Sequence, residues 1–134
     1  MFPLLFPNKP ILGLMIGGLL WYAWHLPLAL VVPASAPVPL WQTILNHAAA
    51  ITGSVCTHTY LCYVYAKSRS IFVPSIAHIA LNNASRSFAY FAVIQNQFTA
   101  NLAQYLVMVL VVAFLYHRKE LGVISGFFSD KTSE

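Results

Sequence analysis

The chain has 134 residues, 59% of them apolar and only 7% charged, against about 25% charged in an ordinary soluble domain. That composition argues against a conventional soluble globule and for helices that meet lipid. The net charge of +4 comes from seven scattered Lys and Arg with no run among them, so a nucleic-acid surface is not expected.

The first element is an apolar run over 11–32, preceded by Lys9 and followed by "PASAP" at 33–37. This imitates a secretory leader. The run exceeds the roughly 7–15 apolar residues of a leader, and Pro37 falls just after the supposed cut, so the segment is predicted to be retained. A spanning helix needs ~20 mostly apolar residues, and this run qualifies. In its middle, "WYAWHLPL" carries His25, the run's only ionisable residue, two positions before Pro27. The proline is expected to end or kink the helix beside the imidazole. A polar ring in a bilayer faces the bundle interior or a wet cavity. There His25 is either a functional group or a structural one bonded to a nearby carbonyl.

"VVPASAPVP" breaks the chain before a second predicted span at about 42–66. This span is rich in Thr, Ser, His, Asn and small residues, which suits close packing against other helices. His47 and His58 are eleven apart and lie ~16 Å apart along a helix, too far to share a metal. Both are expected to make interhelical hydrogen bonds. Cys56 and Cys62 fit no metal or redox spacing and read as small buried residues.

"KSRS" at 67–70 leads to a third span at about 71–93. In "HIALNN", His78 and Asn82 are four apart and share a helix face. An imidazole can act as base or ligand, and a carboxamide can donate to a developing oxyanion. The same pair serves equally well as glue between helices. Asn83 points elsewhere and reads as packing. Arg86 follows two turns after His78, with no acid inside the chain to pair with it, and either snorkels outward or neutralises a buried group. After "NQFTAN", a fourth span at about 98–116 is uniformly apolar. His117 in "YHRK" reads as an interfacial anchor.

Lys9, Lys67, Arg69, Arg118 and Lys119 fall on one side if both termini are cytoplasmic. The expected architecture is therefore an all-α polytopic membrane helix bundle of about four transmembrane helices, one domain over 1–134. Residues 117–134 are expected to form a cytoplasmic tail and the protein to reside in the cell membrane.

"WYAWHLPL" and "HIALNN", in that order, resemble the second and third motifs of the CPBP family, the intramembrane proteases related to type II CAAX prenyl endopeptidases. The family's F-x-x-x-H matches Trp21 and His25, with Trp for Phe, and its H-x-x-x-N matches His78 and Asn82. The resemblance extends over roughly 5–115. It implies a membrane metalloendopeptidase in which His25 and His78 position water or a divalent metal, zinc being the first candidate, and Asn82 stabilises the oxyanion. The implied substrate is a membrane-associated or prenylated peptide entering from the bilayer. The family's first motif, E-E-x-x-x-R, has no match: Glu120, Asp130 and Glu134 are the only acids. "FPLLFPNKP" looks like the stretch that normally follows that motif, so the chain reads as an N-terminally truncated member, one with a misplaced start codon, or a degenerate copy. Little or no proteolysis is expected from it alone.

Helix counting leaves one tension. His25 lies ~21 Å from the cytoplasmic start of its helix and His78 ~10 Å from the same side. They meet only if the first helix starts outside the membrane, tilts, or bends at Pro27. Two other readings stand beside the protease. One is a non-catalytic factor that binds a partner membrane protein, in the manner of the bacteriocin-immunity proteins associated with the family. The other is a haem- or quinone-binding bundle with His25 and His78 as axial ligands, although no haem-attachment motif is present.

Overall fold

A computed structural model describes residues 6, 9–31, 38–91 and 97–130. The described elements are all helical: α1 (Pro10–Val31), α2 (Leu40–Ser68), α3 (Phe72–Phe91), α4 (Gln97–His117) and α5 (Gly122–Asp130). The four predicted spans coincide in position with α1 to α4. Pro10 opens α1, where its missing N–H is one the helix would leave unpaired anyway. Of the two outcomes expected at Pro27, an end or a kink, the end does not occur. A proline deletes one backbone bond without forbidding helix on either side, and here the helix continues to Val31.

α2 is the centre of the bundle and packs against all four other helices. Glycines allow the closest approaches. A Cβ on Gly17 would strike the His58 ring, one on Gly18 the Val55 backbone, and one on Gly53 the Tyr105 ring. α1 therefore lies tightly along α2, and α4 does the same from the other side.

Left-handed residues sit at both turns of the basic end. Arg69 caps α2 at φ 55°, and its N–H bonds the Tyr65 carbonyl at 2.9 Å. Lys119 has φ 58° in the turn after α4. Non-glycine residues adopt this conformation at a cost, and at Arg69 a contact offsets it. The Arg69 guanidinium lies 4.3 Å from the centre of the Phe127 ring on α5.

The segment expected as a tail contains α5. Ile124 and Phe127 are buried against Cys62 and Ala66 of α2, with Leu14 of α1 alongside. Lys67 Nζ and Glu120 Oε2 form an ion pair at 2.9 Å, and Tyr63 Oη donates to the same oxygen at 3.5 Å. The Lys67 ammonium raises no barrier to this acid: it holds the Glu120 carboxyl below its ordinary range, and the carboxylate raises Lys67.

Among the described residues, no helix is long and apolar enough to cross a membrane. α2 and α3 carry polar side chains along their length, among them Asn46, His47, Thr57 and His58 on α2 and His78, Asn82 and Asn83 on α3, and α1 carries His25. The outward faces are apolar, with Trp24, Phe72 and Phe114 exposed by 81%, 74% and 62%. Cys62 is buried as expected, but Cys56 is only half-buried. Asn83 is exposed rather than packed. The Arg86 side chain lies outside what is described.

Candidate active site

His25 and His78 come from α1 and α3 and line one cavity of about 320 Å³, together with Asn82. Trp21 closes the offset between them. Its ring stacks on His25 one turn later, with centroids 6.2 Å apart, and meets the His78 ring edge-on at 4.8 Å. The motif aromatic is thus the piece that joins the two histidines.

Each imidazole is held by a neighbour. His25 Nδ1 donates to the Trp21 carbonyl at 2.8 Å. Its proton is then on Nδ1, and the Nε2 lone pair is left to face other groups. Asn82 Nδ2 donates to His78 Nε2 at 3.0 Å, which places the His78 proton on Nδ1. His25 and Asn82 are exposed and His78 is half-buried, so the cavity is open.

Trp21 also separates this space from a second one of about 220 Å³, bounded by His58, Leu61, Cys62 and Pro74. His78 borders both. His58 lies 3.5 Å from the Cys62 thiol through Nε2 and is within a ring's reach of Trp21. His47 borders the first cavity, so the two α2 histidines serve different spaces, in keeping with their separation. His47 makes the expected interhelical bond, to Tyr22 Oη at 2.6 Å. His117 is exposed at the end of α4.

No charged residue lines the first cavity among the described residues. A catalytic zinc takes three protein ligands and an open position. No three His, Cys, Asp or Glu side chains converge among the described residues. His25 and His78 supply two imidazoles, and the His78 Nε2 lone pair is already engaged by Asn82. The donor set present does not fit a resident three-ligand metal.

Sequence reasoning did not include Tyr22, Asn46, His47, Gln104 and Tyr105 in the site, yet all five line it. A signal for the α2 members was present. Asn46, His47, Ala50, Gly53, Ser54 and Thr57 recur at helical spacing and form one polar or small stripe. Nothing comparable marks Gln104 or Tyr105 within the apolar α4.

The chain was compared with known proteins. Residues 1–84, more than half of the chain, match the family described as type II CAAX prenyl endopeptidase Rce1-like. No curated protein and no solved structure matches it. The matched stretch contains Trp21, His25, His78 and Asn82, the residues that meet at the cavity. The chain belongs to the type II CAAX prenyl endopeptidase Rce1-like family.

Proposed function

We propose that this chain forms part of an intramembrane endopeptidase site and binds a prenylated or otherwise membrane-associated peptide between α1, α2 and α3. The observation that carries the reading is the shared cavity: His25, His78 and Asn82, from two helices, border one open space. His25 presents an Nε2 lone pair to a water proton. Asn82 supplies N–H donors for the carbonyl oxygen as negative charge develops there. Trp21 fixes the distance between the two rings.

Membrane residence is part of the same proposal. The support is the exposed apolar surface of α1, α3 and α4, where Leu19, Ile76, Ile79, Leu106 and Leu110 face outward. The basic turns at Arg69 and Lys119 and the Lys67–Glu120 pair then lie on the cytoplasmic side.

Peptide hydrolysis needs a base poised near neutrality as well as an electrophilic or oxyanion partner. No carboxylate borders the cavity among the described residues, and the sequence has no acid before Glu120. The chain on its own therefore binds the peptide and cleaves it negligibly. A metal-assisted step is not part of the reading, because a third ligand is not among the described residues.

The test uses the full chain in phosphatidylcholine vesicles with a dansylated, farnesylated tetrapeptide. Energy transfer from tryptophan to dansyl reports binding, and chromatography reports cleavage. Binding without cleavage is expected, weakened at least tenfold in both His25→Ala and His78→Ala. Cleavage that depends on His25 would show that the chain carries its own base. Binding indifferent to both substitutions would remove the cavity from the reading.

A further inference from the structure

Beyond the two motifs, α2 contributes a hydrogen-bonding pair to the same cavity. Tyr22 Oη and His47 Nδ1 are hydrogen-bonded at 2.6 Å, with the rings edge to face and their centroids 6.2 Å apart. A phenol that donates to Nδ1 fixes the tautomer, and that sense of the bond is the one proposed here. The His47 proton is then on Nε2, and the ring offers a donor. The preceding residue offers the opposite sense. Asn46 Oδ1 is buried and has no hydrogen-bond partner. A buried polar atom without a partner is rare and calls for an explanation. Asn46, His47 and Tyr22 all border the cavity that His25 and His78 line.

A donor and an acceptor thus stand on successive residues of one cavity wall, and no charged residue accompanies them among the described residues. The complementary ligand is neutral and carries its own donor and acceptor side by side. An extended peptide has this pattern, because the N–H and C=O of one residue point to the same side of the strand. We propose that Asn46 and His47 bind the backbone of one residue of the peptide. Its N–H donates to Asn46 Oδ1, once the carboxamide turns toward the cavity about its soft terminal torsion. Its C=O accepts from His47 Nε2–H. Tyr22 is a positioning residue that holds the His47 tautomer. This assignment rests on the peptide-binding reading of the cavity and gives it a second, sequence-independent anchor.

The experiment uses the full chain in vesicles and the dansylated farnesyl tetrapeptide, beside analogues in which an ester oxygen replaces one amide N–H at a time. One ester position is expected to weaken binding to the unaltered chain about tenfold, the upper range for a single hydrogen bond. In Asn46→Leu the same ester is expected to change affinity less than about twofold. That variant replaces the unpartnered amide by an apolar group of similar size and should remain folded; Asn46→Ala provides a second measurement. Nitrogen-15 shifts of labelled histidine should place the His47 proton on Nε2 and show mixed tautomers in Tyr22→Phe. Equal ester sensitivity in the unaltered chain and both Asn46 variants would overturn the assignment while leaving the cavity reading intact. So would the absence of any ester-sensitive position. Peptide binding that ignores His25 and His78 would overturn both.

Discussion

Asn82 and His78 are joined across one turn of α3, Nδ2 to Nε2, at 3.0 Å. The bond fixes both the orientation of the imidazole and the nitrogen that carries its proton. Asn82→Ala is expected to leave the helices intact and release the ring. Nitrogen-15 spectra of labelled histidine should show His78 as the Nδ1–H form in the unaltered chain and as a mixture in the variant. An Nε2–H form in the unaltered chain would contradict the assigned donor. Peptide affinity should fall severalfold in the variant, in line with one lost hydrogen bond of about 1 kcal/mol.

The glycines divide by what a methyl group would meet. Gly18→Ala drives Cβ into the Val55 backbone, which cannot turn aside as a side chain can, so a loss of about 1–3 kcal/mol is expected. Gly126 in α5 has nothing within 4 Å of an added Cβ. Gly126→Ala is therefore expected to stabilise by about 0.5–1 kcal/mol through backbone entropy. Thermal unfolding followed by circular dichroism in one detergent separates the two. A Gly18→Ala protein that melts with the parent would mean that α1 and α2 are not in close contact there.

The pair that ties α5 to α2 gives stability a pH dependence. Lys67 holds Glu120 below its ordinary value. The carboxylate's contribution is therefore complete above the unfolded-state value, about 4.3, and is lost as pH falls through the lower folded value. Lys67 is raised by Glu120, so its contribution is complete below the unfolded value and is lost as pH rises through the folded one. Both side chains are exposed, and salt should weaken the effect. Melting curves of the parent and Glu120→Gln should converge in acid and separate near neutrality. A constant separation at every pH would assign the effect to something other than this charge.

Chelation distinguishes a resident metal from two imidazoles acting without one. No three His, Cys, Asp or Glu side chains converge among the described residues, so ethylenediaminetetraacetate is expected to leave both the melting temperature and peptide binding unchanged. Added zinc should bind weakly and compete with the peptide, since it would take the His25 lone pair. A large stabilisation by stoichiometric zinc would require a third ligand from elsewhere.

Much of this was legible in the chain itself. Four apolar runs separated by the Pro-rich "VVPASAPVP", the basic "KSRS" and the polar "NQFTAN" marked α1 to α4, because those patterns act through local geometry. His25, His78 and Asn82 were legible through motif spacing. Their meeting was not, since helix counting set His25 and His78 at different depths, and the Trp21 ring that touches both is placed by tertiary packing. α5 escaped because nine residues are too few for a span and its Ile124–Phe127 face has meaning only against Cys62 and Ala66. Tyr22 and His47 escaped because each is ordinary alone and their bond joins residues 25 apart in sequence.

α2 carries neither family motif, yet it touches every other helix and furnishes a wall of both cavities. Under the proposed peptide-binding reading, the motif residues and the residues that select the peptide lie on separate helices. Changes along the stripe from Asn46 to Thr57 can reshape what the cavity admits while the histidines of α1 and α3 stay as they are. The same arrangement couples selectivity to folding, because the residues that would tune it also hold the bundle together.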